Sequence, residues 1–273
     1  MKTAVEIAEE RANRWGHQLY AGRARAILER AFIALRSSTW VPIVTGFIEP
    51  VLYLLAFGYG MGELIGDVDS GRGTVEYAVF IAPGLLATSA MNGAIYDSTW
   101  NVFFKLNESK LYKGMLATPL GPLDVALGEI TWALLRGLSY AIAFLAITAP
   151  LGLVPGVSAI LAIPAAVFIA FGFASFGMAV TSYMKSFQQL EIINIVLLPM
   201  FLFSGSFYPL SVFPEWLQTL IRLLPLAHAI DLVRGLTLGN ISWALAGHAM
   251  YFVVMIVVGL FFTTKRLNAL FMR

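Results

Sequence analysis

Four ionisable side chains stand inside long apolar runs of this sequence: Glu49, Asp97, Glu129 and Arg136. A charge at the middle of a membrane helix costs at least ~2.5 kcal/mol on insertion scales, so each must face a bundle interior, water or an opposite charge. The chemistry open to them is structural ion pairing, or contact with a substrate or a proton. Counted from the cytoplasmic edges of their runs, Glu49 and Arg136 lie at depths of about 14 and 18 Å at 1.5 Å per residue. That predicts a Glu49–Arg136 pair, with Glu129, seven residues before Arg136 and on the same helical face, as the competitor. Asp97 lies near a cytoplasmic end, where reaching toward water is the cheaper solution.

Other chemistry has little to stand on. The three histidines are scattered at 17, 228 and 248, and cysteine is absent. There is no HExxH pair for a metal, no GxSxG elbow for a nucleophile and no GxxxxGK[ST] loop for a nucleotide phosphate. The sequence thus predicts no catalytic residue and no metal site, and any use of ATP needs a second chain.

The elements that hold these residues follow from composition. Of 273 residues, 59% are hydrophobic and 12% charged, with mean hydropathy +0.78, far from the roughly 25% charged residues of soluble domains. The prediction is an all-α integral membrane protein. Six runs reach the length of about 20 residues that a helix needs to cross the hydrocarbon, near 40–61, 77–100, 124–149, 157–183, 190–207 and 242–263. The domain layout expected is a cytoplasmic segment over 1–39, a six-span domain over 40–263 and a tail over 264–273. Fourteen of the 18 basic residues fall on one side of these spans, against Arg72, Arg222 and Arg234 on the other, which places both termini in the cytoplasm.

Two further segments are amphipathic. Residues 19–36, with Arg23, Ile27, Leu28, Arg30 and Phe32, alternate apolar and basic positions at helical spacing, the pattern of a helix in the plane of the interface. Residues 102–117 mix Phe103, Phe104, Leu106, Leu111 and Tyr112 with Lys105, Lys110 and Lys113, and stop before Pro119. An apolar face with a basic rim needs a partner, either the lipid surface or a second protein. Phe57, Phe201, Phe203 and neighbouring aromatics either line an apolar path or serve ordinary helix packing.

The stretch "FLFSGSFYPLSVFP" followed by "EWLQTLIRLLPLAHAIDLVRGL", residues 201–236, resembles the end of the fifth span and the re-entrant helix pair of type-2 ABC exporter permeases. "FIEPVLYLLAFGYGMG" and "FIAPGLLA" are similar to spans one and two of the nodulation-type and daunorubicin-resistance-type branch, and "LATPLGPLDVALGEITWALLRG" continues the pattern in the right order. The resemblance covers nearly all of the chain after residue 30.

The resemblance implies a permease in the bacterial cytoplasmic (inner) membrane, with an N-terminal interface helix and an external re-entrant hairpin, that dimerises with itself or a related permease. It implies two copies of an ATPase subunit as partners, which alone bind ATP and Mg; nucleic acid is not expected. Residues 102–117 then become a coupling helix, with Phe103, Phe104, Lys105, Leu106, Leu111 and Tyr112 meeting the ATPase, and Arg23, Ile27, Leu28, Arg30 and Phe32 its second contact. By position, Glu49, Phe57, Phe201 and Phe203 fall on the substrate path, and Trp216, Leu217 and Leu220 at an external gate. A lipid, lipid-linked glycan or hydrophobic drug is the cargo expected. The competing reading is a stand-alone secondary transporter or channel, and against it stands the lack of an inverted repeat.

Overall fold

The computed structural model describes residues 22–36, 48–70, 73–154 and 160–271. In chain order the elements are α1 (Ala24–Arg36), α2 (Ile48–Tyr59), the short α3 (Gly62–Ile65), strands β1 (Asp67–Asp69) and β2 (Thr74–Glu76), α4 (Tyr77–Glu108), α5 (Leu111–Leu116), α6 (Pro122–Thr148), α7 (Ala162–Tyr183), α8 (Phe187–Phe203), α9 (Glu215–Ile221), α10 (Pro225–Thr237) and α11 (Trp243–Phe271). Among the described residues α4, α6, α7 and α11 are long and apolar enough to cross a membrane, and the bent pair α9–α10 makes a fifth if it counts as one span. Helices α2 and α8 are apolar but shorter; the 17 residues of α8 reach about 26 Å against a hydrocarbon core of about 30 Å. Much of the first expected span, over 40–47, and the start of the fourth, over 157–159, lie outside the described residues.

Helix α4 is the centre of the bundle. Its Tyr77–Tyr96 stretch is apolar on every face, and such a helix must be surrounded: α2, α6, α7 and α10 all pack on it. Small residues set how closely. A Cβ on Gly93 would stand 2.8 Å from the Tyr140 ring and 3.1 Å from the Gly137 Cα, so α4 and α6 meet almost backbone to backbone. Helix α11 runs along α7, where a Cβ on Gly259 would meet the Ser175 carbonyl carbon at 2.5 Å.

The C-terminal half of α4 departs from the expected span. Where the sequence predicts an end near residue 100, the helix runs on to Glu108 through wide, π-type turns at Asp97–Asn101 and Phe104–Glu108. It stops at Lys110, which takes a left-handed φ of 50° and starts the separate α5. The expected coupling helix over 102–117 is therefore split between the end of α4 and a one-turn-and-a-half helix. The all-α expectation also meets a small exception: the alternation of Asp67-Val68-Asp69 and Thr74-Val75-Glu76 pairs as an antiparallel ribbon, Asp67 opposite Glu76 and Asp69 opposite Thr74.

Candidate functional site

The end of the bundle where α4 finishes and α6 begins is organised around Glu129 of α6, which is 4% exposed. Its Oε2 receives the Lys105 Nζ at 2.5 Å from the π-type end of α4, and its Oε1 lies 3.7 Å from an Arg30 nitrogen of α1. Tyr112 of α5 is fully buried beside it; burial, then the Glu129 carboxylate, pushes the Tyr112 phenol well above its usual range. One carboxylate thus joins four elements.

Helix α1 is seated on α6 by the residues that begin α6. Gly121-Pro122-Leu123-Asp124 is a helix start with proline in the first turn and an acid near the positive end of the dipole. Asp124 is buried; it accepts the Gly121 amide at 2.9 Å and, with its other oxygen, the Arg23 amide at 2.8 Å, so it caps its own helix and holds the foot of α1. Ile27 rests where Gly128 leaves room, since a Cβ there would lie 2.7 Å from it, and Phe32 meets Trp132 edge-on at 5.2 Å. Leu28 is half-buried and Arg25 reaches outward to pair with Glu29.

This seating divides the expected ATPase-facing residues. Phe103, Leu106 and Tyr112 are buried against their own chain, Leu106 at 9% exposure, so they do not form an open docking face. Phe104, at 61%, points outward, Leu111 is half-buried, and Lys105 is committed to Glu129. The reason is the unbroken α4, which keeps residues 103 and 106 on the face that packs inside.

The expected Glu49–Arg136 pair is not formed. The Arg136 Nε binds Asp97 Oδ2 at 2.5 Å, the Asn101 amide also donates to Asp97, and the guanidinium lies 5.5 Å from the centre of the Tyr96 ring. Asp97 is 3% exposed, so it does not snorkel toward water. The cause is the close α4–α6 approach at Gly93 and Gly137, which brings Asp97, one turn after Gly93, against Arg136, the residue next to Gly137. Asp97–Arg136 and Lys105–Glu129 lie along the same antiparallel seam, about two turns apart.

Glu49 stands elsewhere, on the wall of a cleft of about 690 Å³ between α2, α4 and α8. Tyr53 of α2, Tyr96 and Trp100 of α4, Tyr140 of α6 and Asn194 of α8 share that wall. A smaller cleft of about 260 Å³ adjoins it, with Tyr53, Leu198 and Phe201 common to both and with Phe57 and Phe203 on its lining. Tyr53, Phe57, Phe201 and Phe207 make a cluster of rings with centroids 5.0 to 6.2 Å apart. All four candidate path residues, Glu49, Phe57, Phe201 and Phe203, therefore border one continuous face. Helix α8 buries Leu190, Met200 and Phe201 and half-buries Ile193 and Leu197, while Ile192, Ile195, Val196, Leu198 and Leu202 are exposed.

On the opposite end α9 and α10 meet at 86°, the shape of a broken span or a re-entrant pair. Trp216 and Leu220 are exposed and Leu217 is half-buried. Arg234 fastens α10: it donates to the Gly205 carbonyl at 2.9 Å and the Phe80 carbonyl at 3.3 Å and lies 4.1 Å over the Phe80 ring. His228 and His248 share a 2.7 Å contact between their Nδ1 atoms, with Tyr251 stacked on His228. Neither arrangement was legible, because each joins residues from separate helices. Among the described residues no three His, Asp or Glu side chains converge to hold a metal ion.

Comparison with known proteins bears on this arrangement. Residues 23–238 match the ABC-2 type transporter family. Nodulation protein J of Rhizobium leguminosarum bv. trifolii is 30% identical over 249 residues, 91% of this chain and 94% of its own length. Nodulation protein J of Sinorhizobium fredii is 30% identical over 244 residues, covering 89% and 92%, and the inner membrane transport permease YadH of Escherichia coli is 28% identical over 204 residues, covering 73% and 75%. The matched region starts at the foot of α1 and ends just beyond α10, so the Glu129 junction, the α4–α6 seam, the cleft and the bent pair all fall within what is shared. The chain belongs to the ABC-2 type transporter family and is a multi-pass membrane subunit of an ABC transporter.

Proposed function

We propose that this chain is the permease half of an ATP-driven exporter in the bacterial inner membrane, carrying an amphiphilic cargo along the face bordered by Glu49, Phe57, Phe201 and Phe203. Two copies of a separate ATPase subunit, which bind the ATP and Mg, dock beneath two permease copies, and six spans carry the chain across with both termini inside. The observation that carries the reading is the Glu129 junction. It links α1 and α5, the elements on the basic, cytoplasmic-facing side, to the ends of α4 and α6, so a push on either is delivered to the spans. The docking surface is then Phe104 with the exposed Lys110 and Lys113, and the outer face of α1. At the outer end, α9 and α10 close the path, with Trp216 at the level of the headgroups.

The test is isolation of the tagged chain from its native membrane in mild detergent, with mass spectrometry and an ATPase assay on what accompanies it. A stoichiometric ATPase subunit with activity is the expected result. Recovery of the permease without any ATPase, under conditions that keep other ABC complexes whole, would overturn the proposal.

A further inference from the structure

The 690 Å³ cleft is unequal in charge. Of the acids that stand in apolar runs of the sequence, Asp97 is matched by Arg136 and Glu129 by Lys105. Glu49 is exposed on the cleft wall, where it accepts the Tyr53 hydroxyl; it makes no ion pair among the described residues and is the only charged side chain among those that line the wall. Opposite and around it are Tyr53, Tyr96, Trp100 and Tyr140, with the amide of Asn194. Aromatic rings present negative faces that attract cations, most strongly where water is excluded. A carboxylate at membrane depth with a hydrogen bond but no counter-charge favours a bound cation. The volume lies in the range of sites that enclose small organic molecules.

We infer that this cleft is a binding site for amphiphilic organic cations, with Glu49 meeting the positive charge and the aromatic wall taking the apolar body. The inference rests on the reading of this face as the cargo path and names the charge class of the cargo. A neutral, hydroxyl-rich cargo would find Asn194 and the tyrosine hydroxyls useful but would leave Glu49 uncompensated.

The experiment uses the full-length chain in nanodiscs of zwitterionic lipid, with empty discs to subtract partitioning. Binding of tetraphenylphosphonium is compared with that of triphenylphosphine oxide, a neutral molecule of similar bulk, in wild type, Glu49→Gln, Glu49→Asp and Glu63→Gln; Glu63 lies on α3, away from the cleft wall. Thermal unfolding of each variant checks its fold. Saturable binding of the cation, weakened at least about ten-fold (1.4 kcal/mol) by Glu49→Gln, largely kept by Glu49→Asp and unchanged by Glu63→Gln, is the expected result, with the neutral probe insensitive to all three. Equal binding of both probes, equal loss of both in Glu49→Gln, or no saturable cation binding would overturn it. The isolation experiment above is independent: a missing ATPase would overturn the exporter reading while leaving cation binding measurable.

Discussion

Replacing Arg136 by Met tests the α4–α6 seam directly. Asp97 is 3% exposed and the Arg136 side chain 13%, so the methionine leaves a buried carboxylate without its counter-charge. Removing one partner of a buried ion pair costs about 3–5 kcal/mol. The Asn101 amide still donates to Asp97, which favours the lower end, a loss of about two powers of ten in the folding equilibrium. Removing the orphaned charge as well, in Asp97→Leu with Arg136→Met, should return stability to within about 1 kcal/mol of wild type, since buried pairs exchanged for apolar residues are often neutral or better. The assay is reversible unfolding in bicelles by denaturing detergent, followed by far-UV circular dichroism, for the two single variants, the double variant and the Glu49→Gln series. The cycle between 97 and 136 should show a coupling of at least about 2 kcal/mol, whereas Glu49→Gln and Arg136→Met should add within about 0.5 kcal/mol. An Arg136→Met loss below about 1 kcal/mol, or coupling of Arg136 to Glu49 as strong as to Asp97, would refute the assignment.

Gly128→Val should unseat α1, because the new side chain occupies the space of Ile27; a loss of about 1–3 kcal/mol is expected, with partial recovery on adding Ile27→Ala, read as faster hydrogen exchange over residues 24–36. Phe104→Asp and Leu106→Asp should separate docking from folding: the first, at an exposed position, should keep stability within about 0.5 kcal/mol while ATPase co-purification falls, and the second, at a buried one, should lower the folded yield itself. Similar behaviour of the two in thermal unfolding would contradict the burial described here.

The long helices α4, α6, α7 and α11 were legible because a run of apolar residues of spanning length has few alternatives in a bilayer. Helix boundaries were less so: nothing in "NVFFKLNE" marks where α4 leaves the apolar layer, since aromatic and basic residues suit both a helix end and an interface helix. The same ambiguity hid the burial of Phe103, Leu106 and Tyr112, for an amphipathic pattern announces that a face needs cover and not which chain supplies it. Asp97 and Glu129 are buried and Arg136 is half-buried, but Glu49 is exposed on the cleft wall, and Arg136 pairs with Asp97 instead of Glu49. Depth alone made Glu49 a match for Arg136, but depth says nothing about which helices touch. The missing information was the Gly93–Gly137 contact; with it, the order acid then base on α4 and acid then base on an antiparallel α6 fits only the pairing observed. Arg234 and the His228–His248 contact depend on how α10 leans against α4 and α11, which no local pattern encodes.

The wide turns of α4 settle an arithmetic mismatch. Glu129 and Arg136 are seven residues apart, which on a regular helix at about 100° per residue leaves them about 20° from alignment. Their partners Lys105 and Asp97 are eight apart, which on a regular helix would put them about 80° out of line on the other side, too far for both to reach one seam. A π-type turn between them holds one more residue than an α turn does, and that surplus restores the alignment. The bulge is therefore a length adapter. Relatives in which a single residue is deleted between positions 97 and 105 can keep both pairs on a straight helix, whereas a second deletion would throw them out of phase again.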